Sequence, residues 1–252
     1  MSTQRKTRTY DGSARRASAV RTRERVLAAA RELFVERGYP ATSVGDIATT
    51  AQVSVDTVYA TVGRKPQILL TVVDMVLASS TRPLPAAERD YVRAVREAES
   101  AVAKLTTYAA ALARLMPTVS PLLLALRDAG LGDAECAATW EHVVERRAAN
   151  MLLLAGELRA IGAVRADLAD QDVADLIWST NSPEWFAAYT SRGRSTDDYA
   201  RTLADLWTRT ILEPGASEQQ ERSHHAGGDD RPPEDRVRKL AADAGTDVAP
   251  DE

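Results

Sequence analysis

Cysteine is almost missing from the 252-residue chain: Cys136 is the only one. A single thiol excludes an internal disulfide framework and a cysteine-rich zinc site. Histidine is nearly as scarce, with His142, His224 and His225, and the adjacent pair is too short a run to hold a metal. Aromatic residues make up 5% of the chain, with two phenylalanines. No uninterrupted run of 18 apolar residues occurs, so no membrane span is expected. The first residues, MSTQRKTRTYDGSARR, carry charge but no apolar stretch, unlike a secretory signal. A cytoplasmic location is therefore expected. Strand-like alternation of β-branched residues is absent too. So are GxSxG, HExxH, the phosphate-binding P-loop and the dinucleotide glycine pattern. No enzyme activity, metal or cofactor is expected.

What the chain has in quantity is charge, unevenly placed. Residues 1–65 hold 12 Lys and Arg against 6 Asp and Glu, a net +6. Residues 66–212 hold 15 against 19, and residues 213–252 hold 5 against 11. A basic head on an acidic body suggests that the head meets an anion, with nucleic acid the first candidate. Residues 1–16 read as a disordered basic arm, whose arginines and Lys6 could lie along phosphates or in a minor groove. Residues 213–252, rich in Pro, Gly and acidic residues, read as a disordered acidic tail.

Between these ends Ala, Leu, Arg and Glu dominate, and the pattern is helical nearly throughout. A first helix is expected from about Thr22 to Arg37, with Val26, Leu27, Ala30, Leu33 and Phe34 on one face and Gly38 as its cap. Ser43 and Asp46 fit a capping box before a helix of two turns. Ser54 can cap a second short helix after a turn at Gln52 and Val53. Two short helices joined this way form a helix-turn-helix, whose second helix can enter a major groove. Thr57 and Tyr59 put hydroxyls on its outer side. Arg64 and Lys65 sit where a helix begins, a costly place for cations unless an anion arrives.

These residues carry a resemblance. The string A-x-V-S-x-x-T-V-Y, preceded by S-V-x-D-I-A and by a helix ending in F-x-x-R-G-Y, strongly resembles the DNA-binding head of TetR-type transcriptional regulators, over about Arg21 to Leu70. The resemblance implies an all-α homodimer with a helix-turn-helix domain at residues 17–66 and a helical effector-binding and dimerisation domain at residues 67–212. It implies a double-stranded DNA operator as partner, a small-molecule effector, and repression released by that effector. Carried across, Ser54 to Tyr59 form the recognition helix. Thr42, Ser43, Thr57, Tyr59 and Lys65 contact phosphates, and Val55 and Asp56 lie nearest the base edges. Three positions depart from the pattern: Gln52 replaces the usual turn glycine, Val62 an aromatic, and Arg64 a Ser or Thr cap.

In the body, a long amphipathic stretch is expected from Ala86 to Ala113, a boundary at Pro117 and Pro121, and a short helix from Leu122 to Asp128. A long helix follows from Asp133 to Ala160. Helices at Gln171 to Thr180 and Thr196 to Leu212 are joined by an irregular segment around Ser182-Pro183-Glu184. Candidate effector contacts are Tyr108, Met116, Trp140, Arg147, Asn150, Met151, Trp178 and Trp185, each of which could equally be core. Arg147 and Asn150 stand out as polar groups in an apolar helix segment, where a partner is required. Cys136 reads as an inert, half-buried thiol. Tyr199, Leu203, Leu206, Trp207, Thr210 and Ile211 form an apolar stripe on the last helix. It faces either a second copy, together with Val173, Ile177 and Trp178, or its own core. A helical enzyme and an RNA-binding interaction protein remain the alternative functions.

Overall fold

A computed structural model describes residues 12–214. Most of the expected arm (residues 1–11) and tail (residues 215–252), including His224 and His225, lies outside the described residues. Among the described residues there is no strand, only ten α-helices, one 3₁₀ turn at Ala86–Glu88 and an isolated bridge between Val164 and Leu212.

Helix α1 spans Gly12–Arg37, about three turns more than its apolar pattern indicates. Its extra N-terminal turns are rich in Ala and Arg, strong helix formers that need no buried face. From Val26 onward one face is buried through Val26, Leu27, Ala30, Leu33 and Phe34. Gly38 ends the helix at φ 79°, a left-handed cap that glycine adopts without a Cβ penalty. Helices α2 (Val44–Thr50) and α3 (Val55–Thr61) follow, and α4 (Lys65–Leu77) carries the chain into the body. Ile47, Ala48 and Val58 close a small core against α1.

The body comprises α5 (Asp90–Glu97), α6 (Ala101–Ala129), α7 (Ala134–Ala160), α8 (Asp170–Thr180), α9 (Pro183–Thr190) and α10 (Thr196–Ile211). Helix α6 is the axis: α4, α5, α7, α9 and α10 all pack on it. The stretch from Ala86 to Ala113 is thus two helices. Lys104 is buried and its ammonium donates to the carbonyls of Val95 (2.9 Å) and Arg96 (2.5 Å), closing α5 while Ser100 caps α6. Pro117 and Pro121, expected to mark a boundary, lie inside α6. Each removes one helical hydrogen bond, but burial of residues such as Leu115, Met116, Val119, Leu122 and Leu123 outweighs the loss. The joined helix is long and apolar enough to cross a membrane by length and composition, yet most of it is covered by its neighbours, as a core helix is.

The expected irregular segment around Pro183 is helix α9, capped by Ser182 with Pro183 in its first turn. The α10 stripe resolves to its inward reading. Tyr199, Leu203, Trp207 and Ile211 are fully buried, mainly against α6, and only Leu206 and Thr210 remain half-buried. Trp207 stacks on Tyr108 at 5.7 Å and its indole donates to Thr180 Oγ1 at 2.8 Å. Glu213, assigned to the tail, is instead tied down: its amide donates to Ala163 and its carboxylate accepts from the Ala166 amide.

Two features predict stability changes. Gln52 sits at φ 55°, the left-handed conformation its departure from glycine put in question. Relief of the Cβ penalty there exceeds the added chain entropy, so Gln52→Gly should stabilise by about 0.5–1 kcal/mol in urea denaturation. An unchanged or lower midpoint contradicts that reading. The Asp74 carboxylate joins three elements: Arg146 of α7 forks onto both oxygens at 2.8 and 3.0 Å, and Arg89 reaches it at 3.1 Å. Asp74→Asn leaves two largely buried guanidiniums without their counter-charge and should cost about 2–4 kcal/mol by the same measurement.

Candidate nucleic-acid interface and body cavity

The head presents α3 outward. Ser54 caps it, its hydroxyl accepting from the Thr57 amide at 3.1 Å and meeting Thr57 Oγ1 at 2.8 Å. Val58 turns inward and is fully buried, which forces Val55, Asp56, Tyr59 and Ala60 to solvent. Tyr59 remains 46% exposed, unusual for an aromatic ring without a partner surface. Arg23 of α1 donates to the Thr61 carbonyl and fixes the far end of α3.

Ser43 forms the expected capping box. Its hydroxyl and amide both reach Asp46 Oδ2, at 2.6 and 2.8 Å, and it accepts from the Asp46 amide at 3.0 Å. The Ser43 hydroxyl holds the Asp46 carboxyl below its ordinary pKa. Thr42 behaves differently from expectation. It is buried, and its hydroxyl is shared between the carbonyls of Leu33 (3.2 Å) and Gly38 (2.9 Å). Its side chain pins the loop before α2 and does not face outward to a phosphate.

Arg64 and Lys65 open α4. Arg64 makes no capping bond and instead pairs with Glu135 at the start of α7. Lys65 places its ammonium 4.1 Å from the centre of the Tyr39 ring, and partial burial lowers its pKa. Tyr39 is itself buried, and its hydroxyl meets the Cys136 thiol at 3.3 Å. Cys136 is therefore fully buried, not half-buried, and stands at the junction of head and body. Composition gives no signal for this pairing, because it joins residues 97 positions apart.

The body holds a partly open cavity of about 430 Å³ between α4, α5, α6, α7 and the α8–α9 junction. It collects five of the expected effector residues: Tyr108, Met116, Arg147, Asn150 and Met151. Trp140, Trp178 and Trp185 do not line it. Trp178 instead lies under Arg147, with the guanidinium carbon 5.2 Å from the ring centre, and Trp185 is exposed on α9. Sequence reasoning missed Asn181, Arg89 and Arg146. Asn181 joins the polar cluster: it accepts from Arg147 Nη2 at 2.6 Å and donates to Tyr108 Oη at 2.9 Å. It follows directly on an apolar helix, the same signal that marked Asn150.

Residues 26–70 match the N-terminal sequence model of the bacterial regulatory proteins of the tetR family. No curated protein matches the chain by sequence. Solved structures do share its fold. GusR of Salmonella enterica is 20% identical, covers 76% of this chain and 96% of its own, and has a TM-score of 0.55. FadR of Bacillus subtilis, solved with stearoyl-CoA, is 17% identical over 73% of this chain and 96% of its own, at 0.54. NalD of Pseudomonas aeruginosa, the secondary repressor of the MexAB-OprM multidrug efflux pump, is 19% identical over 78% and 99%, also at 0.54. The family match covers the head alone, residues 26–70, and the solved structures share the fold of the rest.

Proposed function

We propose that the chain is a ligand-responsive, DNA-binding transcriptional regulator, a repressor released from a palindromic operator when a small molecule enters the body cavity. The observation that carries this reading is the outward face of α3 beside Ser43 and Lys65. Val55 and Asp56 lie at the groove-entering end, and Ser43, Thr57, Tyr59 and Lys65 take phosphates. Residues 17–66 form the DNA-reading head and residues 67–212 the effector body. A lone recognition helix of seven residues is too short for tight specific binding, so two copies act together. With the α10 stripe committed to its own core, the two-fold seam falls on the outer sides of α8 to α10, where Trp185 stays 38% exposed.

The route between the sites is short. Helix α4 runs from Lys65, in the proposed interface, to Leu77, in the cavity wall. Helix α7 carries Glu135 and Cys136 against the head and Arg146, Arg147, Asn150 and Met151 at the cavity, about 16 Å further along. A ligand that separates α7 from α4 strains the fork on Asp74, and the head follows. Such coupling needs two states that differ in their contacts with the ligand. That FadR was solved with stearoyl-CoA and that NalD is a repressor support the reading for this fold.

A gel-shift with the DNA upstream of the chain's own gene tests DNA binding. On that DNA, Tyr59→Phe and Lys65→Ala should each weaken binding several-fold, and equally on all sequences. Lys65→Ala should also reduce the slope of log affinity against log salt by about one. Unchanged affinity and slope in both variants would remove these residues from the interface.

A further inference from the structure

The cavity wall is mostly apolar, with Leu77, Val92, Val95, Leu112 and Val119 among its residues, but its charge is lopsided. Four guanidiniums line it, from Arg89, Arg96, Arg146 and Arg147. They face two carboxylates: Glu157 on the wall, paired with Arg96 at 3.1 Å, and Asp74 beside it, shared by Arg89 and Arg146. Arg147 is left over. Among the described residues no carboxylate lies within 4.0 Å of it. Glu184, which acts on it from further away, is engaged with Arg127 at 2.9 Å.

Arg147 spends one nitrogen, Nη2, on the carbonyl of Trp178 (2.9 Å) and on Asn181 Oδ1. Its Nε and Nη1 make no hydrogen bond to a described residue. Burial pulls its pKa below the ordinary value, the sign of a cation that lacks a counter-charge. Among the described residues, the two buried side-chain polar atoms without a partner are Trp178 Nε1 and Tyr199 Oη. Trp178 is the ring beneath Arg147, and Tyr199 is within electrostatic reach of the guanidinium. A half-buried cation with unfilled donors, set in a mostly apolar cavity, costs free energy until an acceptor-rich anion completes it. Arginine suits a carboxylate in particular, because its planar fork gives two parallel charge-assisted bonds.

Resting on the reading of this cavity as the effector site, we infer that the effector is an apolar molecule ending in a single carboxylate, with the carboxylate on Arg147 and the apolar part along α5 and α6. At about 30 Å³ for each water-sized group, 430 Å³ holds roughly fourteen non-hydrogen atoms. Glu157 lies ten residues from Arg147 on α7, about 15 Å away, too far to repel the head group strongly. Cationic molecules of the same size are excluded by the surplus positive charge.

Isothermal titration of the full chain with decanoate, 2-naphthoate, decanol and decyltrimethylammonium tests the assignment. Both carboxylates should bind at least tenfold more tightly than decanol, and the ammonium should not bind. Arg147→Met should bring decanoate down to the affinity of decanol, while Arg147→Lys keeps part of the difference; circular dichroism confirms that both variants are folded. Decanol or the ammonium binding as well as decanoate would overturn the carboxylate assignment and leave the cavity as the effector site. So would a decanoate affinity unchanged in Arg147→Met. Failure of all four probes to bind would remove the cavity reading itself.

Discussion

The carboxylate of Asp74 is held by arginines from two other parts of the chain, and the placement of α4 depends on that grip. Among the described residues, Asp74 sits on the one helix that begins at the head and ends at the cavity wall. Remove its charge and Arg89 and Arg146 face each other across a partly buried space, opposing the remaining packing of α7 on α4. The second tie is at the other end, where Arg64 pairs with Glu135 and Tyr39 meets Cys136. Its ion pair is more exposed and contributes less in water, while Tyr39 and Cys136 are buried. Within the body the fork ties α4 to α7, while the clasp near the proposed DNA surface and the packing of α1 on α4 join head to body.

The head was readable in the sequence because each of its devices is local. Ser43 and Asp46 are three residues apart, Ser54 caps its own helix, and the buried face of α1 repeats at helical spacing. The strain at Gln52 was signalled only by the resemblance, which places glycine there. The body was less legible, because its decisive contacts are distant in sequence. Prolines read as helix boundaries on propensity, yet Pro117 and Pro121 lie in a helix that its neighbours cover along its length. Ser182-Pro183 read as a break, although a serine followed by proline is also how a helix begins.

The same limit applied to the site residues. Thr42 has the right type and position for a phosphate contact, but only the fold shows its hydroxyl turned back to Leu33 and Gly38. The α10 stripe fitted a dimer seam and a core equally well by periodicity. The Trp207 bond to Thr180 and its stack on Tyr108 settle it as core. Arg147 and Asn150 were marked by the cost of polar groups in apolar surroundings, and both line the cavity. The tryptophans Trp140, Trp178 and Trp185, which could equally be core, do not. Polarity out of place was the better guide to the cavity than size.

On the proposed function, the outward face of α3 reads a specific DNA sequence. Fluorescence anisotropy of the full chain, at fixed physiological salt, compares DNA from upstream of its own gene with the same bases scrambled. A sequence-reading pair of heads should bind the upstream DNA at least about a thousandfold more tightly. Equal affinity for the two DNAs would contradict it and reduce the basic head to a nonspecific anion-binding surface.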